Sequence, residues 1–162
     1  MPFIRIQTPL GPMTAVGEGE ALLRLDFDGS RYQPSLWGEE EETPVLALTR
    51  RWVESFFAGN KPADRPPLGA EGTPFQKAVW QALLSVPYGE STTYGRLART
   101  LATAMGRDPG ARAVGQAVGH NPISLIVPCH RVLGAGGTLT GYAGGLERKR
   151  CLLALEQISF RE

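Results

Sequence analysis

Apolar and polar positions alternate with a period of two at the start of this 162-residue chain, then with a helical period over most of the rest. Phe3-Ile4-Arg5-Ile6 alternates, Pro9-Leu10-Gly11-Pro12 turns, and Met13 to Val16 resumes the alternation. Ala21-Leu22-Leu23-Arg24-Leu25-Asp26-Phe27 follows a glycine-containing bend. Alternation places successive side chains on opposite faces, so these stretches predict short strands joined by turns. The acidic run Glu39 to Glu42 reads as a solvated loop. From Thr43-Pro44 the period changes. Leu46, Trp52, Val53, Phe56 and Phe57 recur at helical spacing, with Thr43 as N-cap, Pro44 at the first helical position and Gly59 as the stop. The aromatic residues of this helix read as core.

Residues 60–72, rich in Pro and Gly, predict a linker and divide the chain into 1–72 and 73–162. Thr73-Pro74-Phe75-Gln76 has the form of a capping box with Pro at N1, opening a helix that carries Phe75, Val79, Trp80 and Leu83 toward a core. Val86-Pro87-Tyr88-Gly89 ends it. Ser91 or Thr92 would cap a second helix through Tyr94, Leu97, Ala98 and Leu101, and a loop from Met105 to Gly110 leads to a third over Ala111–His120. That third helix is nearly all Ala, Gly and Val with one long cation, Arg112, near its start. Glycine inside a helix costs about 1 kcal/mol against alanine, so Gly115 and Gly119 need a reason. A closely approaching partner surface would supply one. So would tight packing in the protein's own core, and both readings stay open at this point.

Composition narrows the class. With 42% hydrophobic and 20% charged residues the chain reads as a soluble globular protein. It has no apolar run long enough to span a bilayer and no secretory leader at MPFIRIQTPLGPM, which predicts a cytoplasmic protein without membrane association. Two cysteines, Cys129 and Cys151, argue against a disulfide scaffold. The formal charge of +1 hides a split. Residues 1–72 carry a net −4 and residues 73–162 a net +5, so the second half is the part suited to a polyanion.

The candidate chemistry centres on Ile126-Val127-Pro128-Cys129-His130-Arg131-Val132. The chain has two cysteines and two histidines, and one of each stands side by side here. A thiolate is the reactive form of cysteine, and a neighbouring His or positive charge favours it. Adjacent residues of an extended strand point to opposite faces. Either the chain turns at Pro128-Cys129, or a water carries the proton between thiol and imidazole. Glu156, a carboxylate within the apolar run Leu152-Leu153-Ala154-Leu155-Glu156, is the candidate to orient His130, an exposed last helix turn being the bland alternative. The glycine-rich stretch from Gly134 to Gly145 could present backbone groups to a planar ligand or form a plain hairpin. It lacks the spacing of a phosphate-binding loop. The spacing of His120, Cys129, His130 and Cys151 matches no zinc pattern, so no metal is expected.

These residues resemble the O6-alkylguanine-DNA alkyltransferases. The similarity runs through Pro87-Tyr88-Gly89, Thr93-Tyr94-Gly95, Ala111-Arg112-Ala113-Val114-Gly115, Asn121-Pro122, Pro128-Cys129-His130-Arg131-Val132, Gly141-Tyr142-Ala143-Gly144-Gly145-Leu146 and Leu152-Leu153-x-x-Glu156. It covers residues 73–156. The front half is similar only through Thr8-Pro9-Leu10-Gly11-Pro12-Met13. The resemblance implies an α/β fold, with a small ribonuclease H-like N-terminal domain (1–72) and a helical, winged-helix-like domain with a helix-turn-helix (73–162) that binds DNA and accepts the alkyl group. The implied function is direct repair of O6-alkylguanine in double-stranded DNA, by flipping the base and moving its alkyl group irreversibly to Cys129 in a single turnover without a cofactor.

In that picture His130 is the base, working through water and oriented by Glu156, and Tyr94 donates to guanine N3 and presses on a phosphate. Asn121 fixes the turn before the active-site strand, the Cys129 and Val132 carbonyls accept from the purine amine, and Tyr142 and Ala143 face O6. Arg112 takes the place of the extruded nucleotide. Ala113, Gly115, Gln116, Ala117 and Gly119 belong to the helix that approaches the minor groove, and the free protein is a monomer. Three departures from the family's pattern stand out. Cys151 replaces a frequent Trp and would be a small buried hydrophobe, the loop between Tyr94 and Arg112 is long, and no Cys or His before residue 120 can hold the zinc that some members carry. The rivals are a lesion-binding module that does not transfer, which would lack the reactive cysteine, and an unrelated Cys-His hydrolase, which would need an oxyanion hole and an open acyl cleft.

Overall fold

A computed structural model describes residues 1–35, 38–61 and 64–162. The chain forms two compact units, Met1–Glu71 with Pro122–Ile126, and Gly72–Asn121 with Val127–Glu162.

The first unit is built on a three-stranded antiparallel meander, β1 (Phe3–Ile6), β2 (Met13–Glu18) and β3 (Ala21–Phe27), in that order. The alternating residues of β1 behave as the period demands, Ile4 and Ile6 buried with Arg5 exposed between them. The register slips between Val16 and Gly17. At that point helix α1 (Pro44–Phe57) presses closest. A Cβ on Gly17 would lie 3.0 Å from Val45 Cγ1 of helix α1, so a larger residue there would push on that side chain. α1 buries Val45, Leu46, Thr49, Trp52, Val53 and Phe56, with Trp52 stacked on Phe56 at a centroid distance of 5.5 Å. Burial of each such side chain is worth about 1.5–3 kcal/mol. Thr43 stands at the N-cap as expected, but its side chain makes no capping bond. Pro44 at N1 removes one donor, and the helix starts on the proline's fixed φ.

The stretch 60–72, expected as linker, includes Pro62 and Ala63, which lie outside the described residues. Its later part is pinned to the sheet. Leu22 N–H donates to the Pro67 carbonyl and Gly69 N–H to the Leu22 carbonyl, both at 2.8 Å. Farther along the same strand, Leu25 N–H donates to the Pro122 carbonyl and its own carbonyl accepts from Ser124 N–H. A five-residue excursion of the later chain therefore completes the first unit. Leu125, buried within it, holds a left-handed φ of 71°, a conformation that costs a non-glycine residue about 1–2 kcal/mol.

The second unit packs helices α2 (Pro74–Leu83), α3 (Tyr94–Met105) and α4 (Ala111–Gly119) around Val79, Trp80, Leu83, Leu97, Ala98, Leu101, Val114 and Val118. The capping box at Thr73 forms in full. Gln76 N–H donates to Thr73 Oγ1 at 3.1 Å, and Thr73 N–H donates to Gln76 Oε1 at 3.0 Å. Trp80 is buried, and its indole N–H donates to the Ala117 carbonyl at 2.9 Å. Phe75, expected in the core, is only half-buried.

The cap of α3 is Thr93, not Ser91 or Thr92. Its Oγ1 accepts from Arg96 N–H at 3.1 Å. Thr92–Thr93 is an extended strand, β4, paired in parallel with β5 (Val132–Leu133), and this shifts the helix start by one residue. The turn from α3 to α4 opens with Gly106 in the left-handed region, φ 74°, and Asp108 Oδ1 accepts from Gly110 N–H. The last helix, α5 (Leu146–Leu155), buries Lys149, Leu152 and Leu153, and Leu153 packs with Leu133 and Ile158. Among the described residues no helix is long and apolar enough to cross a membrane.

Candidate active site

Cys129 opens a single 3-10 turn, Cys129–Arg131, entered through Pro128. The backbone turns here rather than continuing as an extended strand. Cys129 N–H donates to the Val127 carbonyl at 2.8 Å and Arg131 N–H to the Pro128 carbonyl at 3.0 Å. Asn121, just beyond α4, donates from Nδ2 to the Val127 carbonyl at 2.8 Å, tying the end of that helix to the turn. Burial pushes the Cys129 thiol up from its ordinary pKa. Asn121, the Lys149 charge, a backbone N–H and the Tyr142 hydroxyl pull the other way. The groups that favour the thiolate are therefore not the adjacent imidazole, as the dipeptide alone suggests.

That imidazole faces Glu156. His130 Nε2 lies 2.5 Å from Glu156 Oε2, and neither side chain is exposed to solvent. Glu156 is the C-cap of α5, and it is buried rather than on an exposed turn. Its carboxylate is saturated. Oε1 accepts from Arg131 Nε at 2.8 Å and Gly89 N–H at 2.9 Å, and Oε2 accepts from Arg131 Nη2 at 3.1 Å as well as His130. Burial alone would raise this carboxyl, but His130, Arg131 and the Gly89 N–H outweigh it and hold it below the ordinary range. Burial lowers His130, with Glu156 acting against that effect. The pair is thus a neutral imidazole whose Nε2–H donates to a carboxylate, leaving Nδ1 as the basic nitrogen.

Two residues of this site were not singled out from the sequence. Arg131, besides its fork on Glu156, donates from Nη1 to the Val86 carbonyl at 2.8 Å, and its guanidinium carbon sits 5.6 Å from the Tyr88 ring centroid. Lys149 is fully buried, its ammonium donating to the carbonyls of Val132 at 2.6 Å, Thr140 at 3.0 Å and Gly141 at 3.3 Å. Arg131 carried a readable signal, a long cation beside an apolar run, since such a side chain is buried only with partners. Lys149 stands between Arg148 and Arg150, and nothing in the local pattern sets it apart from them.

Tyr94 begins α3. Burial raises its hydroxyl, the Thr140 side chain acts against that, and the nearby Cys129 raises it again, so it stays protonated. Val132 is fully buried in β5, while Tyr142 and Ala143 are half-buried in the loop before α5. The glycine-rich stretch is not a plain hairpin. Ala135–Gly137 forms a 3-10 turn closed by Gly134 N–H to the Thr138 carbonyl at 2.8 Å. A Cβ on Gly134 would sit 2.5 Å from Thr138 Oγ1 and 2.6 Å from Thr140 Cγ2, so a larger residue here forces those side chains to shift.

On α4 the two faces separate. Val114, Ala117 and Val118 are buried, Arg112 and Gln116 are exposed, and Ala113, Gly115 and Gly119 are half-buried between them. Ala117, expected on the approach face, belongs to the core. A Cβ at Gly115 would meet the Tyr94 ring at an ordinary 3.7 Å, and one at Gly119 would meet nothing within 4 Å. Internal packing therefore demands neither glycine. A groove of about 640 Å³ runs past Thr93, Tyr94, Arg96, Arg99 and Gly136. Cys129 and Cys151 are both free thiols, and Cys151 is exposed rather than a buried small hydrophobe.

Comparison with known proteins agrees with this geometry. Residues 74–158 match the model of the 6-O-methylguanine DNA methyltransferase DNA-binding domain. The chain is 46% identical over 94% of its length to the methylated-DNA–protein-cysteine methyltransferase of Haemophilus influenzae, of which it covers 84%. It is 43% identical over 96% to the protein of that name from Methanosarcina acetivorans, covering 98%. Its fold matches the crystal structure of Mycobacterium tuberculosis OGT in complex with DNA at a TM-score of 0.86 and 41% identity, over 97% of this chain and 93% of that one. The chain belongs to the methylated-DNA–protein-cysteine methyltransferase family.

Proposed function

We propose that this protein repairs O6-alkylguanine in double-stranded DNA by moving the alkyl group to Cys129. The observation that carries the reading is a buried cysteine on a tight turn, one residue from an imidazole held by a saturated carboxylate, in the same unit as a helix pair whose second helix sets half-buried small residues beside exposed Arg112 and Gln116. Sulfur attacks the alkyl carbon, the S–C bond forms as the C–O6 bond breaks, and the electron pair leaves with the purine. The thiol proton passes through water to His130 Nδ1, and the resulting imidazolium is stabilised by Glu156. Tyr94 donates to guanine N3 as negative charge develops there. The thioether has no return path, so each molecule acts once and needs no cofactor.

DNA enters through its minor groove against α4. Arg112 fills the space of the flipped nucleotide, and Ala113, Gly115, Gln116 and Gly119 allow close approach. The groove with Arg96 and Arg99 lies beside Tyr94, where a backbone phosphate would run. Asn121 holds the turn, the Cys129 and Val132 carbonyls accept from the purine amine, and Tyr142 with Ala143 faces O6. The Val132 carbonyl already accepts from Lys149 and retains a second lone pair for the purine. In this reading residues 73–162 form a winged-helix-like binding and transfer domain, residues 1–72 a ribonuclease H-like domain, and the protein acts as a monomer. A non-transferring lesion binder would have no use for the reactive cysteine, and a hydrolase none for the helix pair.

The test is incubation with a duplex containing O6-methylguanine, followed by peptide mass mapping. One methyl group on Cys129 per protein molecule is expected, and an unmodified Cys129 with the lesion intact would sink the reading.

A further inference from the structure

The segment that follows α5 is tied down, and the mechanism above gives it no task. Gln157 takes a left-handed φ of 58°, and Ile158 N–H donates back to the Leu153 carbonyl at 2.8 Å. The chain then runs beside the glycine-rich stretch. Arg161 N–H donates to the Gly137 carbonyl at 2.9 Å, and the Arg161 carbonyl accepts from Leu139 N–H at 2.6 Å. Thr138, between those two residues, is the parallel bridge partner of Arg161.

Side chains alternate along this segment. Ile158 joins Leu133 and Leu153 in one buried cluster, with Phe160 and Leu139 packed against it. Glu162 takes the fork of Arg150, Oε1 accepting from Nε and Oε2 from Nη2, each at 3.0 Å. Arg161, between Phe160 and Glu162, is exposed, and its guanidinium stands beside Gly136. A Cβ on that glycine would lie 3.4 Å from Arg161 Nη1. The carboxylate next to it in sequence is thus occupied by Arg150, and among the described residues none of the ion pairs includes Arg161.

The segment holds part of the groove beside Tyr94. Gly136 and Gly137 line that groove together with Arg96 and Arg99, and none of the described residues lining it is a carboxylate. Both glycines have left-handed φ, 69° and 80°. Such a turn has much conformational freedom to lose and no side chain to lock it. Beyond its own closing bonds, the Arg161 N–H is what fixes the Gly137 carbonyl. Arg96 and Arg99 are exposed and, like Arg161, absent from the ion pairs of the described residues. Three arginines with no protein anion among them suit a partner of repeated negative charge, a phosphodiester backbone.

We propose that Ile158–Glu162 is part of the DNA-binding apparatus, its backbone pinning the Ala135–Gly137 turn as one side of the groove and Arg161 adding a third cation for a backbone phosphate; this rests on the reading above in which that backbone runs along the groove. Ile158, Phe160 and Glu162 anchor the segment, which leaves Arg161 turned toward Gly136.

The experiment measures duplex binding by fluorescence anisotropy across a salt series, on unmodified and O6-methylguanine duplexes. Arg161→Ala is expected to weaken both by the same factor, about three-fold or more, and to reduce the slope of log affinity against log salt by about one. Arg161→Lys should restore the slope. Arg51→Ala, which removes an exposed cation of α1, should leave it unchanged. Arg161→Pro also removes the N–H that holds Gly137, and several-fold further loss than in Arg161→Ala is expected. An Arg161→Ala protein with parental affinity and slope overturns the phosphate contact. If Arg161→Pro does not fold, the parent decides the pin. Hydrogen exchange of its Arg161 and Leu139 amides should slow at least about three-fold when unmodified duplex is added, and unchanged exchange overturns the pin. A parent that binds duplex but transfers no methyl group would instead reject the alkyl-transfer reading, and the salt slope still judges Arg161.

Discussion

Glu156 Oε2 and His130 Nε2 are 2.5 Å apart with both side chains sealed from solvent, and the same carboxylate carries the Arg131 fork. This contact fixes which imidazole nitrogen is basic. It also makes Glu156 a joint between α5, the cysteine turn and the Gly89 backbone. Glu156→Gln leaves Arg131 buried without its anion and removes the charge that stabilises an imidazolium. A loss of about 3–5 kcal/mol in urea unfolding is expected, with methyl transfer at least about 10²-fold slower in single-turnover assays. A variant as stable as the parent would show that the carboxylate carries no net charge here.

Acid should destabilise the fold in two overlapping ranges. Burial depresses His130, so below the ordinary histidine value of about 6.5 the unfolded chain takes up a proton that the folded one refuses, and stability falls with pH. Glu156 is depressed as well. Its contribution is present above the ordinary carboxyl value of about 4.3 and is lost as pH falls toward its lower folded value. Urea midpoints measured between pH 7 and about 3 should decline throughout. In Glu156→Gln the lower part of that decline should flatten. A parent curve flat from pH 7 to 5 would contradict the buried neutral imidazole.

Arg112 is exposed near the start of α4. Arg112→Ala should therefore leave stability within about 0.5 kcal/mol. It should slow repair of duplex DNA more than reaction with free O6-benzylguanine, because the free base needs no flipping. Equal losses on both substrates would remove the finger role.

Gly119 and Gly134 should respond in opposite ways to the same substitution. Nothing lies within 4 Å of a Cβ at Gly119, so Gly119→Ala is expected to stabilise the fold by up to about 1 kcal/mol while weakening duplex binding. Gly134→Ala drives a methyl group into Thr138 and Thr140, and a loss of about 1–3 kcal/mol is expected. Thermal unfolding with fluorescence-anisotropy binding separates the two. Unchanged DNA affinity in Gly119→Ala would show that the glycine serves no partner.

Cys129→Ser should still bind methylated duplex with affinity within about three-fold of the parent, since the thiol contributes chemistry rather than contact area. No methyl transfer is expected. Loss of binding would mean that the cysteine turn itself shapes the DNA surface.

The sequence by itself determined the elements and the reactive dipeptide. Strand alternation at Ile4 and Ile6, the Thr73-Gln76 capping box and the small-residue face of α4 are local patterns, set by backbone period and near-neighbour hydrogen bonds. The partner of His130 was also legible, because a carboxylate in an apolar run needs one. Tertiary structure decided what depends on residues far apart in the chain. Pairing of Thr92–Thr93 with Val132–Leu133 moved the helix cap to Thr93, the core claimed Ala117, and the turn at Pro128 sent the imidazole toward Glu156. It also buried Lys149, which stands between two other cations, Arg148 and Arg150, in the sequence. Whether a lysine is a surface cation or a buried donor depends on the carbonyls that the fold brings to it, and no local period encodes those.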